Sequence, residues 1–417
     1  MAFIDTNNTF SDIAVTSRLE KVNSFLKELD TIIDFEKLRP ILNKNGVAKS
    51  NVAGAPAYDN VLMFRVLLLQ KYYNLSDQAT EDALYVNLLY IRFVGLSLED
   101  SVPDESTICR FRNSLLKNRL YDKLFDSVNK QLESKNLIAK TGKSVLVDAS
   151  LIKSDNTQIK NKTKEQREEN KEEVKKLNAE LETKLEEELK SDKPSKKSIQ
   201  KILNAKAHNS KTHKNIQLDI LQGIDTKDIQ TSKDIIQNEE DSYNHNNKID
   251  TEVRIGYQAS KKQYAQGYKV HIAVDEASGV ILKPQVTFAN ASDIDTVKSF
   301  VEDIENIDSF YADKAYKSKE IDEFLENENI KNMICLKEKQ TLTKEQILLQ
   351  REEEKPKHKI RAKVEHRFAD IKTQMKQSTT RVVGLVRNSM SFTLTCLAAN
   401  LRLLAHRRMR QRMELAR

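Results

Sequence analysis

Three carboxylates stand where their surroundings could turn them to metal chemistry. Asp148 closes the apolar run Ser144-Val145-Leu146-Val147, and Asp313 closes Ser309-Phe310-Tyr311-Ala312. A short apolar run ended by an acid reads as a buried strand whose last side chain leaves the sheet for a cleft. Glu365 lies in a basic stretch that reads as helix, Arg361-Ala362-Lys363-Val364-Glu365-His366-Arg367-Phe368. Hard divalent cations take oxygen ligands, and Mg²⁺ uses few protein carboxylates because it keeps several waters. A strand-end Asp taken alone is more often a turn or cap residue, so the neighbourhood has to decide.

The elements that must position these groups follow from hydrophobic period. Residues 1–140 read as a helical N-terminal domain: Val61, Phe64, Leu67 and Leu68 recur at three- and four-residue spacing, as do Leu84, Leu88 and Leu89. One helix is expected to open at Pro103-Asp104-Glu105-Ser106-Thr107, with Ser106 as its cap and Asp104 and Glu105 at the positive end of its dipole. Arg110 and Arg112, with Lys117 and Arg119, spread positive charge along it, which fits either a helix-turn-helix-like DNA contact or ordinary amphipathic packing. Residues 141–405 then change period. Tyr268–Asp275 and Val280–Phe288 flank the turn Ala277-Ser278-Gly279 and read as a hairpin, with Pro284 marking an edge or bulge. A helix over Asp293–Ile307, a strand at Ser309–Asp313, a helix around Ile321, Phe324 and Leu325, and a strand at Met333–Leu336 complete an α/β pattern with a mixed sheet.

Between the first strand and the hairpin, residues 158–250 are rich in Lys, Glu, Asn and Gln. Val174, Leu177, Leu181, Leu185 and Leu189 suggest a charged helix there, pairing as a coiled coil or hairpin, followed by a loop from Asn204. The stretch reads as a helical insertion into the α/β domain. At the other end, Leu394, Leu397, Leu401 and Leu404 form a stripe for a core helix, followed by a basic tail, 406–417.

Charge is unevenly distributed. The 417 residues carry a formal +7, but Lys357–Arg417 holds 15 Lys or Arg against three acids, so the rest of the chain is net acidic. A basic C-terminal end suits a polyanion, since each cation near phosphate releases condensed counterions; a solvated helix face gives the same run. Only three cysteines occur, Cys109, Cys335 and Cys396, too scattered for a disulfide framework. No apolar run approaches the roughly 18 residues of a membrane span. The N-terminal residues lack a basic segment followed by an apolar one, so a cytoplasmic, nucleoid-associated protein is expected. With no Trp, stacking on bases lacks its strongest residue.

Three strings, Val147-Asp148-Ala149-Ser150, Tyr311-Ala312-Asp313-Lys314-Ala315-Tyr316 and Glu365-His366-Arg367-Phe368, resemble the catalytic boxes of bacterial insertion-sequence DDE transposases. The subgroup typified by insertion sequence five looks nearest: its third box runs Tyr, two residues, Arg, three residues, Glu, six residues, Lys, and Arg361, Glu365 and Lys372 fall in that register. The string Gly267–Asp275 and the string Pro103–Arg112 are also similar to that subgroup. His358 stands where the signature has Tyr, and Ala315 where the second box more often has Gly. The resemblance implies an RNase H-like fold with Asp148, Asp313 and Glu365 as catalytic metal ligands. It implies two Mg²⁺ ions, for which Mn²⁺ substitutes, about 3.5–4 Å apart in an in-line displacement. Arg361, Lys372 and Arg367 then join Arg110 and Arg112 as DNA contacts. The partners implied are terminal inverted repeats and target DNA, bound by a homodimer, with no membrane. A regulatory or decayed DNA-binding copy, and a nuclease without strand transfer, are the rival readings.

Overall fold

Capping chemistry fixes where the N-terminal helices start. The computed structural model describes residues 10–45, 57–138, 143–155, 250, 252–258, 263–336 and 344–415. Helix α1 spans Phe10–Glu20, and two single-turn helices, α2 (Leu29–Ile32) and α3 (Arg39–Leu42), follow among short 3₁₀ turns. Then come α4 (Asn60–Tyr73), α5 (Asp77–Val86), α6 (Leu88–Val94), α7 (Glu105–Lys117) and α8 (Leu120–Ser134). Asp59 caps α4 by accepting from the amides of Val61 and Leu62, and Ser76 caps α5 through Ala79. Such caps satisfy donors that a helix start leaves orphaned. The expected cap of α7 moves by two residues. Asp104 accepts from the Thr107 amide at 2.6 Å, while the Ser106 hydroxyl donates to Asp104 and accepts from Arg110. The carboxylate wins because it adds charge to the hydrogen bond at the positive end of the dipole.

The sheet is mixed. Strand β1 (Lys143–Ser154) lies at its centre and pairs antiparallel with β3 (Gln263–Asp275). The outer side of β3 pairs first with β2 (Arg254–Gln258) and then with β4 (Ile281–Phe288), both antiparallel. On the other side β1 pairs parallel with β5 (Ile307–Tyr311) and, at its far end, with β7 (Thr379–Thr380); β6 (Lys331–Asn332) extends the sheet beyond β5. An antiparallel trio followed by parallel strands, with helices on the faces, is the RNase H-like arrangement. The hairpin turns at Gly279 with φ +65° and carries Pro284 on β4, whose ladder to β3 shifts register between Ala273 and Val274. The strand expected at Met333–Leu336 does not form there; the two residues before it, Lys331 and Asn332, make the short strand β6. The chain nonetheless stays beside β5, with Met333 and Cys335 donating to the carbonyls of Phe310 and Ala312.

Helices α9 (Asp295–Asp303) and α10 (Lys319–Asn327) flank β5, and α11 (Lys344–Ala369) packs on β1. A π-turn, Asp370–Gln374, continues α11 and carries Lys372. Helix α12 (Leu385–Leu415) buries Leu394, Leu397, Leu401 and Leu404 against β4, α4 and α8. It absorbs most of the expected 406–417 tail, because Arg408 and Arg412 pair with the buried Glu28 and hold the basic end in helical register. The expected N-terminal and α/β domains share this helix and form one unit, residues 1–156 and 250–417. The helical expectations for 158–250 lie outside the described residues.

Candidate functional site

Register brings the two aspartates together. Strands β1 and β5 pair Val145 with Phe310 and Leu146 with Tyr311. Carried two residues beyond the paired stretch, the same register would set Asp148 level with Asp313, and the charge of Asp313 acts on the Asp148 carboxyl. There the neighbours of β1 divide: β5 pairs with residues up to Leu146 and β7 with Lys153 and Ser154, so among the described residues Val147–Ile152 has β3 alone as a partner strand. The fork opens a notch in the sheet, and Asp148 and Ser150 line it. Asp313 leaves β5 as the cap of a 3₁₀ turn, Lys314–Tyr316, accepting from the Lys314 amide at 2.7 Å.

Helix α11 delivers the third acid and a cation. Arg361 and Glu365 are one turn apart, and Arg361 Nη2 donates to Glu365 Oε1 at 3.0 Å. Arg361 Nη1 lies 3.8 Å from Asp148 Oδ2, so one guanidinium spans the helix acid and the strand acid. Its Nε is buried without a hydrogen-bond partner. Glu365 is the open member, 55% exposed against 21% for Asp148 and 18% for Arg361. Burial pushes the Asp148 carboxyl up to about 6. The Ala149 amide and Arg361 draw it back, and the charges of Asp313 and Glu365 drive it up again. The site therefore holds more negative charge than its own cation neutralises.

Three carboxylates around a notch supply the hard oxygen donors that Mg²⁺ or Mn²⁺ takes. Among the described residues the three are not drawn into a single-ion cage, since the one trio of His, Cys, Asp or Glu with all ligand atoms within 4.8 Å of one another lies elsewhere. A spread arrangement fits ions that keep their waters.

The remaining cations expected at the site separate. Lys372 reaches back from the π-turn to β1, donating to Ser150 Oγ at 2.5 Å and to the Leu151 carbonyl at 3.0 Å, beside the notch. Arg110 is exposed near the start of α7 and donates to Ser106 and Thr107 of its own helix. Arg112 is half-buried and bidentate to Asp77 at 2.6 and 2.7 Å, bracing α7 against α5. Arg367 corrects the expectation of a DNA contact. It is only 4% exposed and pairs with Asp370 at 3.2 Å, because its helix face turns toward α12 rather than solvent. Arg402 also pairs with Asp370, and Arg407 donates to the Ser278 carbonyl.

A buried layer behind the acids escaped the sequence. Tyr316 is 1% exposed and its hydroxyl has no hydrogen-bond partner. Burial drives its ionisation well upward, helped by the charges of Asp293, Asp148 and Asp313. Asp293 accepts from Lys269 at 3.0 Å and lies 3.9 Å from His271 Nδ1, while His271 Nε2 meets Thr287 Oγ1 at 2.9 Å. Burial first, then Lys269, pushes His271 down to about 3, so its ring is neutral. Lys269 and His271 lie inside the hairpin string and Tyr316 inside the second box; their burial was the missing information.

A transposase domain model (DUF772) matches residues 15–114, which cover most of α1–α7. A transposase DDE domain model matches residues 223–401, the segment holding Asp313, Arg361, Glu365 and Lys372. No solved structure matches the chain. The two matches do not overlap and together span more than half of the sequence, in an RNase H-like sheet that sets two aspartates and a helical glutamate around one notch. The family acts on DNA and uses divalent metal ions, and no described helix is long and apolar enough to cross a membrane. The chain belongs to the insertion-sequence DDE transposases.

Proposed function

We propose that the protein cleaves DNA at the ends of an insertion element and joins the freed ends to target DNA, with Asp148, Asp313 and Glu365 as metal ligands. The observation that supports this reading is the gathering of charge around Asp148, on which Asp313 and Glu365 act, with Arg361 linking Asp148 to Glu365. Two bound Mg²⁺ ions, or Mn²⁺, would activate water and stabilise the leaving 3′ oxygen, and the freed 3′-OH would attack target DNA in the same site. Asp148, less exposed than Glu365, would hold metal together with Asp313 and Glu365. Arg361, which now spans Asp148 and Glu365, would offer a planar donor to the scissile phosphate where charge builds. Lys372 holds the end of α11 on β1 and lies within reach of the same backbone phosphate. Arg110, exposed on α7, contacts flanking DNA. The signature spacing supports a reading in the subgroup of insertion sequence five, with a homodimer acting on paired inverted repeats.

Purified protein on element-end duplexes with Mg²⁺ tests the proposal. Strand cleavage at the element end is expected, together with joined product when precut ends and target are supplied. Asp313→Ala should abolish both while keeping duplex affinity. Cleavage that survives Asp313→Ala overturns the assignment of the acids. Cleavage without joining makes the protein a nuclease, and duplex binding without cleavage a regulatory copy.

A further inference from the structure

Cys335, Glu354 and His358 are a set distinct from the three acids, close enough for Arg361 and Asp313 to act on the Cys335 thiol, and combine sulfur, oxygen and nitrogen donors. One ligand atom from each lies within 4.8 Å of the others. Glu354 and His358 are one turn apart on α11, so both project from one face toward the segment after β6 that carries Cys335. Cys335 Sγ is 3.9 Å from His358 Nδ1. A tetrahedral Zn²⁺, with Zn–S about 2.3 Å and Zn–N about 2.0–2.1 Å, needs a separation of about 3.6 Å, so a small contraction closes the shell. Glu354 is already aimed, with one oxygen taking the Leu336 amide at 3.2 Å and the other Lys357 at 2.7 Å. Cys335 and Glu354 are buried while His358 is exposed, leaving a solvent-facing fourth position for water.

We propose that Cys335, Glu354 and His358 form a second metal site, selective for a borderline or soft divalent cation such as Zn²⁺ over Mg²⁺. Thiolate and imidazole favour Zn²⁺ and Co²⁺, whereas the all-oxygen notch favours Mg²⁺ and Mn²⁺, so the two sites sort ions by donor type. Binding replaces the thiol proton: Zn²⁺ joins sulfur, nitrogen and oxygen, and one proton leaves to solvent. The position gives the ion a positioning role. The Cys335 amide donates to the carbonyl of Ala312, the residue before Asp313, at 3.1 Å. His358 lies one turn before Arg361 on α11. An ion held by both therefore clips the edge of the sheet that presents Asp313 to the helix that presents Arg361 and Glu365.

The test uses full-length protein stripped by chelator and titrated with Co²⁺, whose thiolate charge-transfer and tetrahedral d–d absorptions report the ligand set. One equivalent of Co²⁺ should develop a thiolate band that Zn²⁺ abolishes and excess Mg²⁺ leaves in place. Cys335→Ser should remove the band. His358→Ala, at an exposed position where folding is not at risk, should keep the fold by circular dichroism and weaken Co²⁺ binding at least roughly tenfold. Absence of a thiolate band in the wild type overturns the site. So does a band that persists in Cys335→Ser, which would move the ion to Cys109 or Cys396, or unchanged affinity in His358→Ala.

Discussion

Replacing Asp148 by Asn should make the metal-free protein more stable while destroying its activity. The Asp148 carboxyl titrates near 6 in the fold against 3.8 in the unfolded reference. Its pKa is raised, so the fold carries no penalty below the unfolded value and a growing one as pH climbs through the folded value. Two units at about 1.4 kcal/mol each give roughly 3 kcal/mol at about pH 8, falling to roughly 1 kcal/mol near pH 4.5. For a cooperative unit of roughly 300 residues the unfolding entropy is about 0.6 kcal/mol/K, so the substitution should raise the midpoint by about 4–5 °C at high pH. The assay is differential scanning calorimetry of both proteins at the two pH values, with chelator and then with Mg²⁺. Added Mg²⁺ should stabilise the wild type and narrow the gap, since the ion relieves the charge that Asn removes. A variant no more stable than the wild type at about pH 8, or one whose advantage is as large at about pH 4.5, would refute burial as the origin of the raised pKa.

Arg361→Gln removes the cation between Asp148 and Glu365 and should tighten Mg²⁺ binding while lowering cleavage about 10²–10³-fold; isothermal titration and single-turnover kinetics separate the two effects. Gly267→Ala should prevent soluble folding or cost several kcal/mol in denaturant titration, because a Cβ there would meet the Ile152 carbonyl oxygen at 1.9 Å. Arg112→Met should destabilise by about 2–3 kcal/mol by stranding Asp77, and Asp77→Asn in the same chain should recover part of that in thermal melts. Lys372→Met should loosen the hold of the π-turn on β1, slowing cleavage more than it weakens duplex affinity in a gel-shift assay.

Much of the site could be read before any coordinates because its parts are local. An apolar run ended by Asp313 declares a strand and its exit, whereas β1 runs on past Asp148 to Ser154, and Arg361 and Glu365 declare a shared helix face by a spacing of four. The hairpin at Gly279 was equally legible, since a turn needing positive φ restricts its residue. What stayed hidden depends on partners distant in sequence. The basic count at the C-terminus suggested a polyanion, yet Arg408 and Arg412 meet Glu28 and Arg402 meets Asp370, and net charge cannot tell a paired arginine from a free one. The cap of α7 was misplaced by two residues because serine and aspartate compete locally, and only the geometry of the turn decides. Cys335 and His358 gave no signal, since neither falls in a recognisable metal spacing until β6 and α11 are side by side.

The π-turn from Asp370 to Gln374 accommodates one residue more than a regular helical turn. Excising a single residue there would heal α11 into ordinary α-helix and swing everything after the cut by roughly 100° about the axis. The chain would gain regularity and lose the tether from Lys372 to Ser150. Local irregularity is thus what keeps the helix bearing Glu365 fastened to the strand bearing Asp148.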